Sequence, residues 1–348
     1  METRKKIRVL VIDDSVVFRE MLTKILSSDP QIEVAAVASD PFEARDKIVE
    51  VIPDVITCDV EMPKMSGIEF VRWLLPKRFF PVVMVSSLDR AVFDAMSAGA
   101  VDFVVKPGVA SLNTSREFAA DLIQKIKAAA ASKMTPYKPA QFSQAPQTAT
   151  TRISDNMAKD TNRIIAIGAS TGGTEAIYSI LKALPPTIPG IVIVQHIPPV
   201  FSKMFAERLD GQTALRVKEA ETGDYINPGT AFVAPGDMHM TIKKFGPRYR
   251  IECFNGKKVN GHCPSVDVLF DSVAREAGSS AIGIQLTGMG YDGAKGLLAI
   301  RRKGGRTIGQ DEASSVVYGM PKVAFDIGGV ETQAALDAIP QSLLNLLK

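Results

Sequence analysis

Short runs of apolar residues alternate along the chain with longer stretches in which apolar residues recur every three or four positions. The apolar runs are rich in Val and Ile, as expected of parallel strands that are covered by helices on both faces. In the first part of the chain this order predicts a doubly wound parallel sheet of five βα units, an α/β fold. The five predicted strands are Ile7–Ile12, Ile32–Ala38, Asp54–Asp59, Pro81–Ser87 and Val101–Pro107.

The same alternation resumes near residue 163 and predicts a second α/β unit with a Rossmann-like parallel sheet. Two segments inside it, Ala231–Ile242 and Arg248–Phe254, have instead the pattern of a β-hairpin inserted into the α/β order. The other predicted elements of this unit are the strands Arg163–Gly168, Ile191–Gln195 and Ala281–Gly288 and a helix over Gly173–Leu184.

The pattern breaks between about Ala131 and Asp160, where Pro, Ser, Thr, Gln and Ala dominate without a sustained apolar period. This composition predicts an interdomain linker, and a disordered segment that binds a partner is the alternative. A length of 348 residues also fits two domains rather than one core. The predicted organisation is therefore a first domain over residues 1–131, a linker over 132–160 and a second domain over 161–348.

Composition narrows the class of protein. A formal net charge of +3 gives no reason to expect nucleic acid or a membrane surface as the main partner. Three cysteines without CxxC spacing indicate neither a disulfide framework nor a zinc cluster. The apolar run near the N-terminus is too short for a signal peptide or a membrane span. We therefore expect a cytoplasmic protein without membrane insertion.

Acidic residues follow two of the predicted strands of the first unit. Asp13 and Asp14 follow the first strand, and Asp59 closes the third. Because the carboxyl ends of neighbouring parallel strands meet at one edge of a sheet, we expect the three carboxylates to converge. Such a cluster repels itself unless a hard cation occupies it, and Mg²⁺ with oxygen ligands fits. Helix capping alone would explain any single one of these aspartates.

The joint pattern is more specific than its parts, because Ser86 and Lys106 close the fourth and fifth predicted strands at the same edge. An aspartate beside Mg²⁺ can act as a nucleophile toward a phosphoryl group. Residues 1 to about 130 thereby resemble the receiver domain of response regulators. The resemblance also implies a cis peptide bond at Lys106–Pro107. It implies Asp59 as phospho-acceptor, Asp13, Asp14 and Asp59 as the Mg²⁺ site, and Ser86, Phe103 and Lys106 as switch residues.

The first strand of the second unit runs into a Gly-rich turn, Gly168–Gly173. Its G-x-S-x-G arrangement between a predicted strand and helix is the context of a nucleophilic serine, here Ser170. The N–H groups at the helix start would also favour a developing oxyanion. A phosphate-binding loop is the alternative, but no Gly-Lys-Ser/Thr follows, and Ser170 replaces the second glycine of a dinucleotide fingerprint.

Three histidines are available as a general base. His196 directly follows the predicted strand Ile191–Gln195, on the same sheet edge as Ser170, and we rank it first. His262 lies in a loop, could contact substrate, and ranks second; His239, in the predicted hairpin, is expected to be half-exposed and structural. Asp292 lies in a Gly-rich turn between a strand and a helix, where it can orient the histidine, cap the helix, or do both.

Five motifs of the second unit together resemble the catalytic domain of the chemotaxis protein-glutamate methylesterase (CheB) family: GASTGG, VQHIP, VAPGDMH, PSVDVLF and LTGMGYDGA. The resemblance extends from about residue 161 to the C-terminus. It implies Ser170 as nucleophile, His196 as general base and Asp292 as the partner of the histidine. It also implies that the turns at Thr171 and Met289 help to form the oxyanion site.

The two resemblances imply an esterase under phosphorylation control. Its substrates would be glutamyl methyl esters of chemotaxis receptors, its phosphoryl donor the chemotaxis histidine kinase, and its hydrolytic chemistry would need no cofactor. The family also deamidates receptor glutamines, and the residues leave open whether this chain does. A DNA-binding response regulator is disfavoured because the second unit has no helix-turn-helix pattern or basic stripe. A phosphorylation-gated binding module without catalysis is the remaining alternative.

Overall fold

The computed structural model describes residues 5–87, 91–107, 112–132 and 163–348. From residue 133 onward the predicted linker lies outside the described residues. The chain separates into two compact units, Met1–Pro139 and Ala140–Lys348. The domain boundaries at residues 131 and 161 stay predictions.

The first unit is built on a parallel five-stranded sheet with the order β2-β1-β3-β4-β5. This is a doubly wound order, as the alternating pattern predicted. Every residue of β3 and β4 is buried, which explains why these strands read as continuous apolar runs. The strands are β1 (Ile7–Ile12), β2 (Ile32–Ala38), β3 (Val55–Asp59), β4 (Val82–Ser86) and β5 (Asp102–Val105), and the helices are α1 (Val16–Ser27), α2 (Pro41–Val51), α3 (Gly67–Leu74), α4 (Ala91–Ser97) and α5 (Leu112–Ala130).

Side chains cap the N-termini of α1 and α3 and so hold the loops that follow β1 and β3. Ser15 caps α1 by accepting a hydrogen bond from the N–H of Phe18. Ser66 and Glu69 form a capping box at the start of α3, so two N–H groups without helical partners are satisfied. The chain therefore leaves β1 and β3 in tightly held turns that fix the aspartates at the sheet edge.

The second unit contains a seven-stranded sheet with the order β14-β13-β12-β6-β7-β9-β8, in which all recorded pairs are parallel. A separate antiparallel pair, β10 and β11, forms the inserted hairpin. The strands are β6 (Ile164–Ala169), β7 (Ile191–Gln195), β8 (Arg216–Glu219), β9 (Thr230–Val233), β10 (His239–Phe245), β11 (Arg248–Phe254), β12 (Ala281–Gln285), β13 (Arg306–Gln310) and β14 (Thr332–Ala334), and the helices are α6 (Gly173–Lys182), α7 (Phe201–Gln212), α8 (Val266–Ala277), α9 (Ala294–Arg302), α10 (Met320–Asp326) and α11 (Ile339–Leu346).

The structure corrects two strand predictions in this unit. Residues 231–233 were predicted as hairpin, but they belong to β9, which pairs with β7 and β8 in the main sheet. The predicted strand Ala281–Gly288 ends at Gln285, and the N–H of Thr287 donates to the side-chain oxygen of Gln310 instead of to a backbone carbonyl of the neighbouring strand.

The polar strand β13 was not predicted, although four of its five residues are buried. Its buried polar side chains have partners that the sequence does not reveal. Thr307 accepts a hydrogen bond from the N–H of Glu331, and the amide of Gln310 also donates to the carbonyl of Ser314. Satisfied polar groups can be buried at little cost, so apolar periodicity misses such a strand.

Helix α8 lies between the hairpin and the main sheet, and the core of the second unit surrounds it. Leu269, Phe270 and Val273 of α8 belong to one buried cluster with Met240 and Ile251 of the hairpin. The hydroxyl of Ser272 accepts a hydrogen bond from the N–H of Ile242 at 3.0 Å. This packing fixes the position of the α8 N-terminus, which lies at the candidate site.

Two further observations concern the backbone. Among the described residues a cis peptide bond is recorded at Cys263–Pro264 and not at Lys106–Pro107, so the expectation of a cis bond at Lys106–Pro107 was wrong. Within the described ranges, the helices are too short or too polar to cross a membrane.

Candidate active site

The candidate active site lies where β6 is flanked by β7 on one side and β12 on the other. Ligands of open parallel sheets bind outside the carboxyl ends of the strands at such a reversal of strand order. Ala169 of β6 is paired with Gln195 of β7, so Ser170 and His196 are the next residues on neighbouring strands. The N–H of His196 donates to the carbonyl of Ala169 at 3.1 Å. The structure thus places the predicted nucleophile and base side by side.

The turn that carries Ser170 is held at several points. The N–H of Ser170 donates to the carbonyl of Thr287 at 3.0 Å, and its carbonyl accepts from the N–H of Gly173 at 2.7 Å. The amide of Gln195 donates to the same Ser170 carbonyl at 2.9 Å. Gly172 has φ +76°, a conformation that glycine adopts without strain, and α6 begins at the next residue. Ser170 is therefore fixed beside a helix N-terminus, as its motif predicted.

The imidazole of His196 has one bonded and one open nitrogen. Its Nε2 lies 2.9 Å from Oδ2 of Asp292. Since an ionised carboxylate only accepts hydrogen bonds, Nε2 carries the proton and Nδ1 has a free lone pair. Nδ1 is buried and has no hydrogen-bond partner among the described residues. An unpaired acceptor of this kind suits a general base.

Asp292 is 2% exposed and accepts hydrogen bonds from α8, not from α9, the helix that follows it in the chain. The N–H groups of Val266 and Asp267, at the start of α8, donate to it at 2.7 and 3.3 Å. The hydroxyl of Ser265 donates at 2.8 Å. The expectation that Asp292 caps the helix that follows it is not met, because Gly293 stands at that N-cap without a side-chain bond.

The charge state of Asp292 follows from these contacts. Burial opposes its ionisation, but the hydrogen bonds from His196, Asn260 and Val266 outweigh burial and lower the pKa of its carboxyl well below the usual range. The positive end of α8 favours the same charge. Asp292 therefore stays a carboxylate that orients His196 and can stabilise its protonated form.

Sequence reasoning missed Asn260 and Asp267. The side-chain amide of Asn260 lies 2.7 Å from an oxygen of Asp292 and 2.7 Å from an oxygen of Asp267. Asp267 is 5% exposed, and burial raises the pKa of its carboxyl. The Asn-Gly dipeptide at 260–261 is a turn signal, but it does not reveal which side chains the turn contacts.

The other two histidines differ in position. His262 stacks on His196 with ring centroids 3.7 Å apart and an angle of 9° between the planes. His239 is 2% exposed, so the expectation of a half-exposed residue was wrong. Its Nδ1 accepts from the N–H of Ser265 at 3.2 Å and its Nε2 lies 2.9 Å from the carbonyl of Lys257. Both nitrogens of His239 are thus used to hold the loop before α8.

Thr171 and Met289 are the residues expected at the oxyanion site. Thr171 directly follows Ser170, Met289 directly follows Gly288, and the backbone at Gly288 touches Ser170. A Cβ at Gly288 would lie 2.7 Å from the Cβ of Ser170, so the turn after β12 packs against the nucleophile. The carbonyl of Thr171 accepts a hydrogen bond from the hydroxyl of Thr287 at 3.0 Å. The N–H groups of Thr171 and Met289 therefore belong to turns on two sides of Ser170, and their role stays a prediction.

A second cluster lies at the edge of the first sheet. One oxygen each from Asp13, Asp14 and Asp59 can be chosen so that all three lie within 4.8 Å of one another. Nζ of Lys106 lies 2.5 Å from Asp59 and 2.9 Å from Asp13. The predicted cluster is thus assembled, and its hard oxygen donors fit Mg²⁺.

Burial raises the pKa of the Asp59 carboxyl, as does the charge of Asp13, while Lys106 opposes both. Burial disfavours the charged form of Lys106, but Asp59 and Asp13 outweigh it and raise the pKa of its ammonium group. Ser86 is 1% exposed and donates to the carbonyl of Ser87 at 2.8 Å. Phe103 is buried on β5 and makes a T-shaped ring contact with Phe93, at a centroid distance of 6.2 Å.

Comparisons with known proteins identify the family of each unit. The family model of the response regulator receiver domain matches residues 9–114, and that of the CheB methylesterase matches residues 165–343. The chain is 51% identical over 343 residues to a protein-glutamate methylesterase/protein-glutamine glutaminase of Syntrophomonas wolfei, covering 99% of this chain and 98% of the relative.

Another relative, from Syntrophotalea carbinolica and also named protein-glutamate methylesterase/protein-glutamine glutaminase, is 49% identical over 347 residues, with 99% and 98% covered. Among solved structures, the CheB methylesterase catalytic domain of Thermotoga maritima matches with a TM-score of 0.52 and 39% identity. That match covers 53% of this chain and 98% of the solved one.

Proposed function

Because the chain belongs to the CheB methylesterase family and carries a response-regulator receiver domain, we propose that it hydrolyses glutamyl methyl esters of chemotaxis receptors under phosphorylation control. One observation carries the catalytic part of the proposal. His196 is bonded to the buried carboxylate of Asp292 through Nε2, has an open Nδ1, and follows the strand next to the one that Ser170 follows. These contacts support a serine nucleophile with His196 as its base.

In the first step of the proposed reaction, Oγ of Ser170 attacks the γ-carbonyl carbon of the ester while Nδ1 of His196 takes the hydroxyl proton. The C–O bond to the methoxy group then breaks, and His196 returns the proton so that methanol leaves. A positioned base of this kind contributes about 10²–10⁴-fold. Asp292 holds the imidazole and stabilises its positive charge without taking the proton.

Water then attacks the acyl-enzyme carbonyl, again with His196 as base, and the glutamate is released as Ser170 regains its proton. We assign the oxyanion site to the N–H groups of Thr171 and Met289, and losing one such donor costs on the order of 10²–10³ in turnover. The same steps with ammonia as leaving group would deamidate a glutamine, which the names of the relatives include.

The proposed control resides in the receiver unit. Asp59 is the phospho-acceptor, and Asp13 and Asp14 complete with it the site that would hold Mg²⁺. When bound, Mg²⁺ would neutralise charge on the transferring phosphoryl group. Lys106 contacts both Asp13 and Asp59, which supports a role for it in binding the new phosphoryl oxygens. Ser86 and Phe103 complete the proposed switch. Phosphorylation can raise activity only by favouring the active state over the inactive one.

The proposed partners are methylated chemotaxis receptors as substrates and the chemotaxis histidine kinase as phosphoryl donor, with no role for nucleic acid. The proposal also places the protein in the cytoplasm, where its three free cysteines stay reduced.

The test is methanol release from methylated chemoreceptor membranes, with and without a small-molecule phosphodonor and Mg²⁺. We expect release that rises with the donor, is lost in Ser170→Ala, and no longer responds to the donor in Asp59→Asn. Substantial release by folded Ser170→Ala would contradict the catalytic assignment. No release by the folded wild-type protein under either condition would favour a binding module instead.

A further inference from the structure

A tight turn between the hairpin and α8 contacts both members of the acid–base pair. Val259 and His262 exchange two backbone hydrogen bonds, at 2.9 and 3.0 Å. The two central residues, Asn260 and Gly261, have φ +53° and +87°. Positive φ at both central positions defines a type I′ turn, which Asn-Gly favours most strongly. We call residues 259–262 the Asn-Gly turn.

The first contact of the Asn-Gly turn is with carboxylates. An amide group has two N–H donors, and Nδ2 of Asn260 lies 2.7 Å from an oxygen of Asp292 and 2.7 Å from an oxygen of Asp267. The other oxygen of Asp267 accepts from the N–H of Gly296 at 2.7 Å. Asn260 therefore links Asp292 to a carboxylate that is itself anchored between two helices.

The second contact is with the imidazole. The ring of His262 lies flat on the ring of His196, at 3.7 Å between centroids and 9° between planes. The hydrogen bond to Asp292 fixes His196 at one ring atom, Nε2, and by itself still allows the ring plane to rotate about the axis from its Cβ to that contact. A ring stacked on its face removes this rotation, so that the direction of Nδ1 becomes fixed as well.

We propose that the Asn-Gly turn is the positioning element of the triad, in which Asn260 holds the carboxylate and His262 holds the plane of the imidazole. Neither side chain takes part in proton transfer. This inference rests on the proposed serine hydrolase chemistry, since it concerns how the base of that reaction is aimed. It contrasts with a role for His262 in binding substrate, which would act on KM rather than on kcat.

Asn260→Gly tests the first contact, because glycine keeps the left-handed backbone and removes only the amide. Loss of a hydrogen bond to a charged group predicts a fall in kcat of about 10- to 100-fold with KM within about twofold. Asn260→Asp keeps the size and turn propensity but replaces the donor with a third carboxylate, so its kcat should fall further.

His262→Ala and His262→Phe test the second contact. Removing an aromatic partner predicts a fall in kcat of about 3- to 10-fold in the alanine variant. Phenylalanine can stack but has no ring nitrogen, so it should recover most of that loss. Phe245→Ala is the matched control, because Phe245 is exposed at the far end of β10, roughly 20 Å along the strand from His239.

The measurements are kcat and KM for methanol release, the rate at which a serine-directed phosphonate labels Ser170, and the midpoint of thermal unfolding. Reduced kcat and labelling at unchanged KM in the folded variants, with recovery in His262→Phe, would support the positioning role. Wild-type kcat in folded Asn260→Gly would overturn it for Asn260. Equal losses in both His262 variants, or losses confined to KM, would overturn it for His262.

Failure of the proposed function would look different. If the phosphonate labels the wild-type protein but no methanol is released, the proposed substrate is wrong. The labelling rates of the variants would then still test the role of the Asn-Gly turn. A folded wild-type protein that neither labels nor releases methanol would overturn both proposals, since there would be no activated serine to aim.

Discussion

Replacing Asp292 with Asn changes one oxygen into an amide nitrogen at the most densely bonded carboxylate of the site. One oxygen accepts from Nε2 of His196 and from the N–H of Val266. The other accepts from Asn260, from the hydroxyl of Ser265 and from the N–H of Asp267. Whichever oxygen is replaced, the new N–H₂ group faces a backbone N–H that cannot turn away.

The two orientations of the new amide have different consequences. If its nitrogen faces Asn260, the Asn260 amide has to flip, and its carbonyl then points at the carboxylate of Asp267. If its nitrogen faces His196, it donates to Nε2, and the ring proton moves to Nδ1. We expect the second orientation, because a histidine can change tautomer whereas the carbonyl and carboxylate would repel. Nδ1 can then no longer accept the proton of Ser170.

The expected loss in kcat is about 10⁴-fold, the effect of a wrong histidine tautomer in serine hydrolase triads. One backbone donor left without an acceptor should also reduce the free energy of unfolding by about 1–3 kcal/mol. The stability difference should depend on pH. Because the pKa of Asp292 is lowered in the folded protein, its contribution is present above the unfolded pKa of about 3.9 and is lost as the pH falls below it.

The assay is methanol release together with urea unfolding at several pH values. Asp271→Asn is the matched control, because Asp271 is an exposed aspartate on α8, the helix whose N-terminal N–H groups donate to Asp292. We expect the control to keep wild-type turnover. A folded Asp292→Asn protein with turnover within about tenfold of the wild type would refute the assignment of Asp292 as the residue that fixes the tautomer. A stability deficit that does not shrink below about pH 4 would refute the pKa argument.

Three further predictions concern close contacts at the two sites. In Gly288→Ala the new Cβ would overlap Sδ of Met320 and lie 2.7 Å from the Cβ of Ser170. The flexible Met320 side chain can shift, but the Ser170 turn has to move as well, so we expect kcat to fall on the order of 10²-fold with the fold retained, as measured by kinetics and thermal unfolding. In Gly67→Ala the new Cβ would overlap the carbonyl of Asp59. The phosphodonor should then no longer stimulate methanol release, while basal release stays within about twofold of that of the wild type. A variant that still responds to the phosphodonor would contradict this prediction. In Lys106→Met the buried carboxylates of Asp13 and Asp59 lose their cation, so Mg²⁺ should raise the midpoint of thermal unfolding more in the variant than in the wild type. Equal increases would show that Lys106 does not neutralise the charge of these carboxylates.

Much of the fold was predictable because its signals are local. Buried parallel strands appear as short Val- and Ile-rich runs, and the five strands of the first unit and β6, β7 and β12 of the second were recognised in this way. Residues that directly follow such strands must lie at the carboxyl edge of the sheet. This rule alone brought Asp13 together with Asp59, and Ser170 together with His196.

The predictions failed where the deciding contacts are distant in sequence. Strand β13 is polar, and it is buried because Gln310 and Thr307 find partners elsewhere in the chain. Residues 231–233 resemble a hairpin strand, but pairing with β7 makes them part of the main sheet. Local periodicity cannot distinguish these outcomes, since the same apolar residues could be covered by either neighbour.

The sequence by itself determined which residues carry reactive groups and at which strand ends they lie, because a strand and the turn after it are formed by neighbouring residues. Only the tertiary structure decided what surrounds these groups. Asp292 is held by the N-terminus of α8 and by Asn260 of the Asn-Gly turn, and His196 is covered by His262. Such contacts depend on how the hairpin and α8 pack onto the sheet, and packing is set by side chains that are far apart along the chain.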